Sequence, residues 1–169
     1  QIDSETNSGL SGESGQRYVI FPAYGMSGNA GLGISLGTNG VSVYELNEDS
    51  YMPAVLVCAT NLGQAWHHFA VVHSNRHAVL YIDGEPVRTG VVTAASIEHV
   101  YPGNVAGDAF NLGFKGQLDE LRIWAEARTE LQITNSMSSS LVEPSGETTL
   151  AGYWTFDSGE PSDLSSNRC

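Results

Sequence analysis

The stretch GLGISLGTNGVSVYEL, residues 31–46, reads as two strands folded about Gly37-Thr38-Asn39-Gly40. Asn-Gly between alternating apolar residues is a strong hairpin signal, because the turn needs backbone angles that Asn and Gly tolerate. The same period of two runs through most of the chain. RYVIFPAYG precedes the hairpin and MPAVLVCAT follows it. AWHHFAVVHS and HAVLYIDGEPVRTG form a further hairpin-like pair, with Asp83-Gly84 in a second tight turn. SIEHVYPGNVAGDAFNLG is loop-rich, and Tyr101-Pro102-Gly103-Asn104 is a turn cluster. FKGQLDELRIWAE, a short helix candidate within ARTELQITNSMSSSL, and a last strand in TLAGYWTFDSG complete the chain. Many short strands with regular turn signals predict an all-β, two-sheet antiparallel jelly-roll sandwich with one short helix near the C-terminal end.

Composition agrees with a β-rich extracellular protein. The 169 residues suit one domain, expected over 16–169 behind a polar, Gly/Ser-rich leader at 1–15. Charged residues are only 15%, so Ser, Thr, Asn and Gly supply most of the polar surface. Seven basic against 19 acidic residues give a net charge of −12, which repels phosphate backbones and anionic bilayers and favours divalent cations. No apolar run approaches the roughly 18 residues of a membrane span, so membrane insertion is not expected. Cys58 and Cys169 are read either as a disulfide or as a buried thiol and an exposed tail thiol.

The ordered set GISLGTNGVSVYE, WHHFAVV, AVLYIDGEPVRTG, GQLDELRIWAEARTELQI and AGYWTFDSGEPSDLSSN resembles laminin-G-like domains of the concanavalin A-like superfamily, bacterial extracellular type. The resemblance covers residues 16 to 167 and implies two packed antiparallel sheets, one convex and one concave. It implies a secreted or cell-surface protein that binds glycans, glycoproteins or matrix partners, frequently with calcium. It also implies that Trp66, Trp124 and Trp154 are core residues. Family members usually carry two strands before the position of RYVIFP. This chain is therefore read either as a compact version or as one whose edge strand comes from a preceding domain or from another copy, which makes a homodimer through the short front edge one expectation.

Candidate sites lie in two acidic groups and one turn. Asp119, in LDELRIW, shares a strand face with Leu121 and Ile123 if the period of two runs through it, whereas Glu120 and Arg122 can pair on the wetter face. A carboxylate facing a core needs a cation or several N–H donors. Calcium through Asp119, with Asp157 and Asp163 as co-ligands, is one reading; capping of backbone N–H groups at a strand corner is the other. In YELNEDSY, Glu45, Asn47 and Asp49 are read as a loop beside Tyr44 and Tyr51: oxygen ligands next to rings suit a calcium-assisted sugar site, or a solvated acidic loop. His99, Tyr101 and Asn104 are candidates for a second sugar-facing wall.

Enzymatic chemistry is not expected. Glycoside hydrolysis needs two carboxylates at a fixed separation, Asp119 and Glu120 point to opposite faces, and no Gly-x-Ser-x-Gly elbow occurs. The histidines lack zinc-like spacing. The expected function is therefore non-catalytic glycan or glycoprotein binding with calcium; the alternative is a protein-binding or structural adhesion module.

Overall fold

The computed structural model describes residues 16–23, 29–46, 54–93, 97–100, 114–157 and 162–166. Ten strands and one short α-helix follow in chain order: β1 (Arg17–Ile20), β2 (Asn29–Gly37), β3 (Gly40–Leu46), β4 (Ala54–Ala59), β5 (Phe69–Ser74), β6 (His77–Ile82), β7 (Glu85–Thr89), β8 (Ile97–His99), β9 (Leu121–Trp124), α1 (Glu130–Ser136) and β10 (Leu150–Trp154). One sheet runs β1-β2-β3-β4, with β8 added beside β2. A second runs β5-β6-β7, and β9 pairs with β10 in a third. All pairings are antiparallel except β2 with β8.

The 31–46 hairpin forms as its sequence predicts. Gly37 pairs with Gly40 across Thr38-Asn39, and the register runs from there to Gly31 opposite Leu46. That register places Leu32, Ile34, Leu36, Val41 and Val43 on one face, where the core lies. The facing sheet contributes Phe69 and Val71 from β5 with Ala78, Leu80 and Ile82 from β6, and β4 adds Val55, Leu56 and Cys58. Burying such a cluster from both sheets is the main force joining them, at about 25 cal/mol per Å² of apolar surface.

Two short turns fix the second sheet. Asn75 and Arg76 both adopt positive φ, 51° and 64°, as do Asp83 and Gly84, 53° and 87°; left-handed pairs match the twist of two-residue hairpins. Residues 90–93 then join the sheet edges: Gly90 N–H donates to the Ala78 carbonyl and Val91 N–H to the Val55 carbonyl, at 2.8 and 2.9 Å. A side chain at 90 would place its Cβ 2.4 Å from the Val55 carbonyl oxygen, so this close approach requires glycine.

The helix is shorter than its candidate segment. Thr129 and Gln132 form a reciprocal capping box that starts it, and Ile133 is its buried anchor. Next to it, Arg122 on β9 donates to the carbonyls of Ser136 and Ser139 and so holds the segment after the helix. Cys58 sits half-buried on β4 opposite Val41; Cys169, and with it any pairing of the two, lies outside the described residues.

Candidate functional site

Gly31 is the point from which the predicted site is built. On one side it pairs with Leu46, the last residue of β3; on the other it pairs with His99, the last residue of β8. Residues 47–53 follow Leu46 and residues 101–113 follow Val100, so both predicted sugar-binding segments begin next to one β2 residue, although β3 and β8 run in opposite directions there. Two strand spacings of about 4.8 Å separate those roots by roughly 10 Å, the width of one or two sugar rings. Asn47, Asp49, Tyr51, Tyr101 and Asn104 lie outside the described residues, while His99 is half-buried at the root itself. The sequence separates these segments by about fifty positions, and only the parallel β2–β8 pairing brings their roots together.

Glu45 belongs elsewhere. It was expected in the acidic loop, but β3 continues through Leu46 and pairs Glu45 with Leu32. Period two then puts Glu45 in line with Val41 and Val43, facing the core, where it has no exposed surface. His73 extends the equivalent stripe of β5 beyond Phe69 and Val71, and its Nε2 lies 3.7 Å from Glu45 Oε1. Burial pushes the His73 imidazole below its ordinary value, with the charge of His77 acting in the same sense. The distance exceeds a hydrogen bond, so the two meet as a polar contact across the sandwich. A carboxylate sealed in this way cannot touch a glycan on the surface.

The opposite face of the first sheet is chemically distinct from the core. Tyr18, Ser35, Ser42 and Tyr44 share it by register. The Tyr18 and Tyr44 rings meet at 5.6 Å, and Tyr18 meets Phe21 edge-on at 5.1 Å. The Ser35 hydroxyl donates to Gln16 Oε1 at 2.7 Å, and Gln16 Nε2 donates to Asn39 Oδ1 and the Gly40 carbonyl, both at 2.8 Å. Pro22 and Ala23 lie over Gly33 and Gly31: a Cβ at 33 would fall 2.5 Å from the Pro22 ring, and one at 31 would overlap the Ala23 carbonyl. The alternating glycines of GLGIS are therefore the imprint of a crossing chain. That spacing was in the sequence, and only the contact gives it meaning.

The proposed calcium ligands do not converge. Among the described residues no group of three or more His, Cys, Asp or Glu side chains is placed to hold a metal. Asp119 lies before β9 in an exposed irregular segment rather than on a core-facing strand position, because Glu120 takes φ = 55° and breaks the alternation there. Asp119 Oδ1 accepts the Glu120 N–H at 2.9 Å, so capping of a corner is what its carboxylate does. Asp163 Oδ1 accepts from the Tyr153 and Ser165 N–H groups at 2.9 and 2.8 Å, tying the tail to β10. Asp157 is exposed in the turn after that strand.

Glu120 and Arg122 do pair, at 2.5 Å, and the Tyr153 hydroxyl donates to the same carboxylate at 2.7 Å. Desolvation pushes the Glu120 carboxyl up, but hydrogen bonds from Tyr153, Arg122 and Ser140 outweigh it and hold the group below its ordinary value.

The WHH segment departs from expectation in two ways. His67 and His68 precede β5 rather than lying in it, and both engage Asp83: His67 Nδ1 meets Asp83 Oδ2 at 2.8 Å, and the His68 N–H donates to Asp83 Oδ1 at 2.9 Å. His67 Nε2 meets the Leu62 carbonyl at 2.9 Å, so both ring nitrogens face acceptors, an arrangement only the imidazolium satisfies fully. Trp66, expected in the core, is 64% exposed, since it belongs to the loop before the strand. Trp154 is buried at 6%, and Trp124 lies under the Arg128 guanidinium at 3.9 Å.

Mostly antiparallel strands in three sheets with one short helix, packed about a shared apolar core, make a jelly-roll sandwich. The chain belongs to the concanavalin A-like lectin/glucanases superfamily, whose laminin-G-type model matches residues 10–134. A Bacteroides ovatus protein provisionally named a carbohydrate binding protein superposes with a TM-score of 0.55 at 19% identity, over 99% of this chain. The chain spans 48% of that protein's length. An S-layer domain-containing protein from Clostridium thermocellum, 17% identical over 82% of this chain and 67% of its own, gives a TM-score of 0.34, too low to bear on the fold. No curated protein matches. Among the described residues no helix is long and apolar enough to cross a membrane.

Proposed function

We propose that the chain is a non-catalytic, extracellular carbohydrate-binding domain that holds a glycan between the segments following β3 and β8. The observation that supports this reading is the double pairing of Gly31 with Leu46 and His99, the residues after which the segments carrying Asn47, Asp49 and Tyr51 and carrying Tyr101 and Asn104 begin. Rings that stack on pyranose faces and amides or carboxylates that hold hydroxyls are the groups such a site requires. Superfamily membership and the Bacteroides ovatus neighbour support it. Calcium, in this proposal, bridges ligand and protein through Asn47 and Asp49 rather than through Asp119, Asp157 and Asp163. The three carboxylates best placed for scrutiny as catalytic groups are committed elsewhere: Glu45 is sealed in the core, Asp119 caps the Glu120 N–H, and Glu120 is held by Arg122 and Tyr153. A homodimer through the β1 edge belongs to the same proposal and is read by sedimentation velocity.

The test is a glycan array probed with the purified chain, in calcium and in chelator. Binding is expected in calcium, lost in chelator, and lost in Tyr51→Ala and Asp49→Asn, with the melting temperature unchanged in the Tyr51 variant. Binding that ignores the chelator removes calcium from the proposal. A blank array in both conditions overturns the lectin reading in favour of a protein-binding module.

A further inference from the structure

Trp66 marks a second site. A tryptophan carries one of the largest apolar surfaces of any residue, with a polar N–H at one edge. Here the indole is 64% exposed, and its loop is tied at both ends. Thr60 and Leu62 N–H groups donate to the Asn39 and Thr38 carbonyls of the β2–β3 turn, each at 3.1 Å. Beyond Trp66, His67 bridges the Leu62 carbonyl and Asp83, and Asp83 N–H donates back to the His68 carbonyl at 2.9 Å. The indole is thus presented on a framework anchored to both sheets, and a ligand meeting it has little loop entropy left to quench.

The surroundings specify the ligand's chemistry. Residues 50–66 carry no charge at all, on a chain whose net charge is −12. The residues just before it in the chain, Thr60, Asn61, Gly63, Gln64 and Ala65, are exposed as well and offer a hydroxyl and two carboxamides, and just after it His67 pairs with Asp83. The other large exposed apolar side chains among the described residues belong to other segments. One aromatic ring beside exposed hydroxyl and carboxamide groups is too small an anchor for the roughly 800 Å² per partner of a protein interface, but it fits a single pyranose. We infer that Trp66, with Asn61 and Gln64, is a stacking platform for an uncharged sugar ring.

The platform stands at the end of the first sheet where β2 turns into β3, whereas the segments after β3 and β8 start at Gly31. Six β2 residues at about 3.3 Å each separate the two levels by roughly 20 Å, so the inference does not rest on the first site.

The experiment is oxidation footprinting of Trp66 with N-bromosuccinimide, read by mass spectrometry. It is run with hexasaccharides of β-1,4-glucan, β-1,3-glucan, β-1,4-xylan and α-1,6-mannan. At least one is expected to shield Trp66 and to bind about tenfold or more weakly to Trp66→Ala, with part of the affinity kept by Trp66→Phe and no change in melting temperature. Tyr51→Ala is expected to leave the shielding intact even where it empties the array. No shielding by any of the four overturns the platform, as does shielding that disappears in Tyr51→Ala, which would make one site of two. A Trp66-dependent dimer in sedimentation velocity, with no sugar shielding, overturns it in favour of a second copy of the chain.

Discussion

At the scale of a residue, Asp83 shows how a turn side chain acquires a charge requirement. Its left-handed φ of 53° lets Asp83-Gly84 close the β6–β7 hairpin, and the same carboxylate then reaches across to His67 and the His68 N–H. The hydrogen bond to Asp83, then that to the Leu62 carbonyl, raises the His67 pKa above its ordinary 6.5. Desolvation pushes the Asp83 carboxyl up, but the bonds from His67 and His68 outweigh it and leave it below its ordinary 3.8. The signs follow from linkage. A raised histidine contributes stability in full below 6.5 and loses it as pH rises through the folded value. A lowered carboxyl contributes above 3.8 and loses it as pH falls through its own folded value. The pair is therefore strongest near pH 5 to 6. Asp83→Asn is expected to lower the melting temperature more at pH 5.5 than at pH 9, and to return the His67 imidazole titration, followed by NMR, toward 6.5. An equal loss at both pH values would show that the carboxylate acts only as a turn former.

Among the elements, the β2–β3 hairpin was the most legible and carries the sharpest steric prediction. Gly40 has φ = 130°, and a Cβ there would lie 2.0 Å from the Cys58 carbonyl oxygen on β4. Gly40→Ala is expected to cost about 2 kcal/mol or more in denaturant unfolding, by strain and by forcing β3 from β4. Gly146→Ala, whose Cβ meets nothing within 4 Å, is the control and should stay within about 0.5 kcal/mol of wild type. The reasons this hairpin could be read are local: Asn-Gly chemistry and alternating side chains lie within sixteen consecutive residues. The capping box of α1 is local in the same way. What the sequence hid was non-local or broke the period. Glu45 was misplaced because an acidic run suggested a loop, when Leu32 across the ladder keeps it in the strand. Asp119 was placed on a core face because period two was carried through Glu120, whose positive φ interrupts it. Trp66 was assigned to the core from its place in a motif, although the strand begins three residues later. The shared root of the two candidate segments depends on a parallel pairing between strands about seventy residues apart, which no pattern within either strand announces.

For the whole molecule, the core is not uniformly apolar, and its polar end governs the response to acid. The stripes of β3 and β5 run Val41, Val43, Glu45 and Phe69, Val71, His73, and the two sheets meet at a carboxyl and an imidazole 3.7 Å apart. The His73 side chain is only 14% exposed. Burial, then the charge of His77, holds His73 below its ordinary 6.5, and burial followed by the charge of Arg122 does the same to His68. A lowered histidine contributes stability above 6.5 and loses it as pH falls toward the folded value, because the unfolded chain takes up a proton that the native core refuses. Two histidines, His68 and His73, act in this sense and His67 in the opposite one, so the lowered pair works toward destabilisation between pH 7 and pH 5. Each proton contributes a slope of at most about 1.4 kcal/mol per pH unit. His73→Gln, which cannot charge, should remove one such contribution: the unfolding free energy of the variant, measured in guanidinium at pH 7, 6 and 5, should fall less steeply than that of wild type. Glu45→Gln keeps the shape of the buried group and should leave glycan binding unchanged, since no part of residue 45 reaches the surface. If His73→Gln keeps the wild-type slope, the imidazole is already protonated in the native core and the contact is a true ion pair; removing its partner in Glu45→Gln would then lower stability at every pH measured.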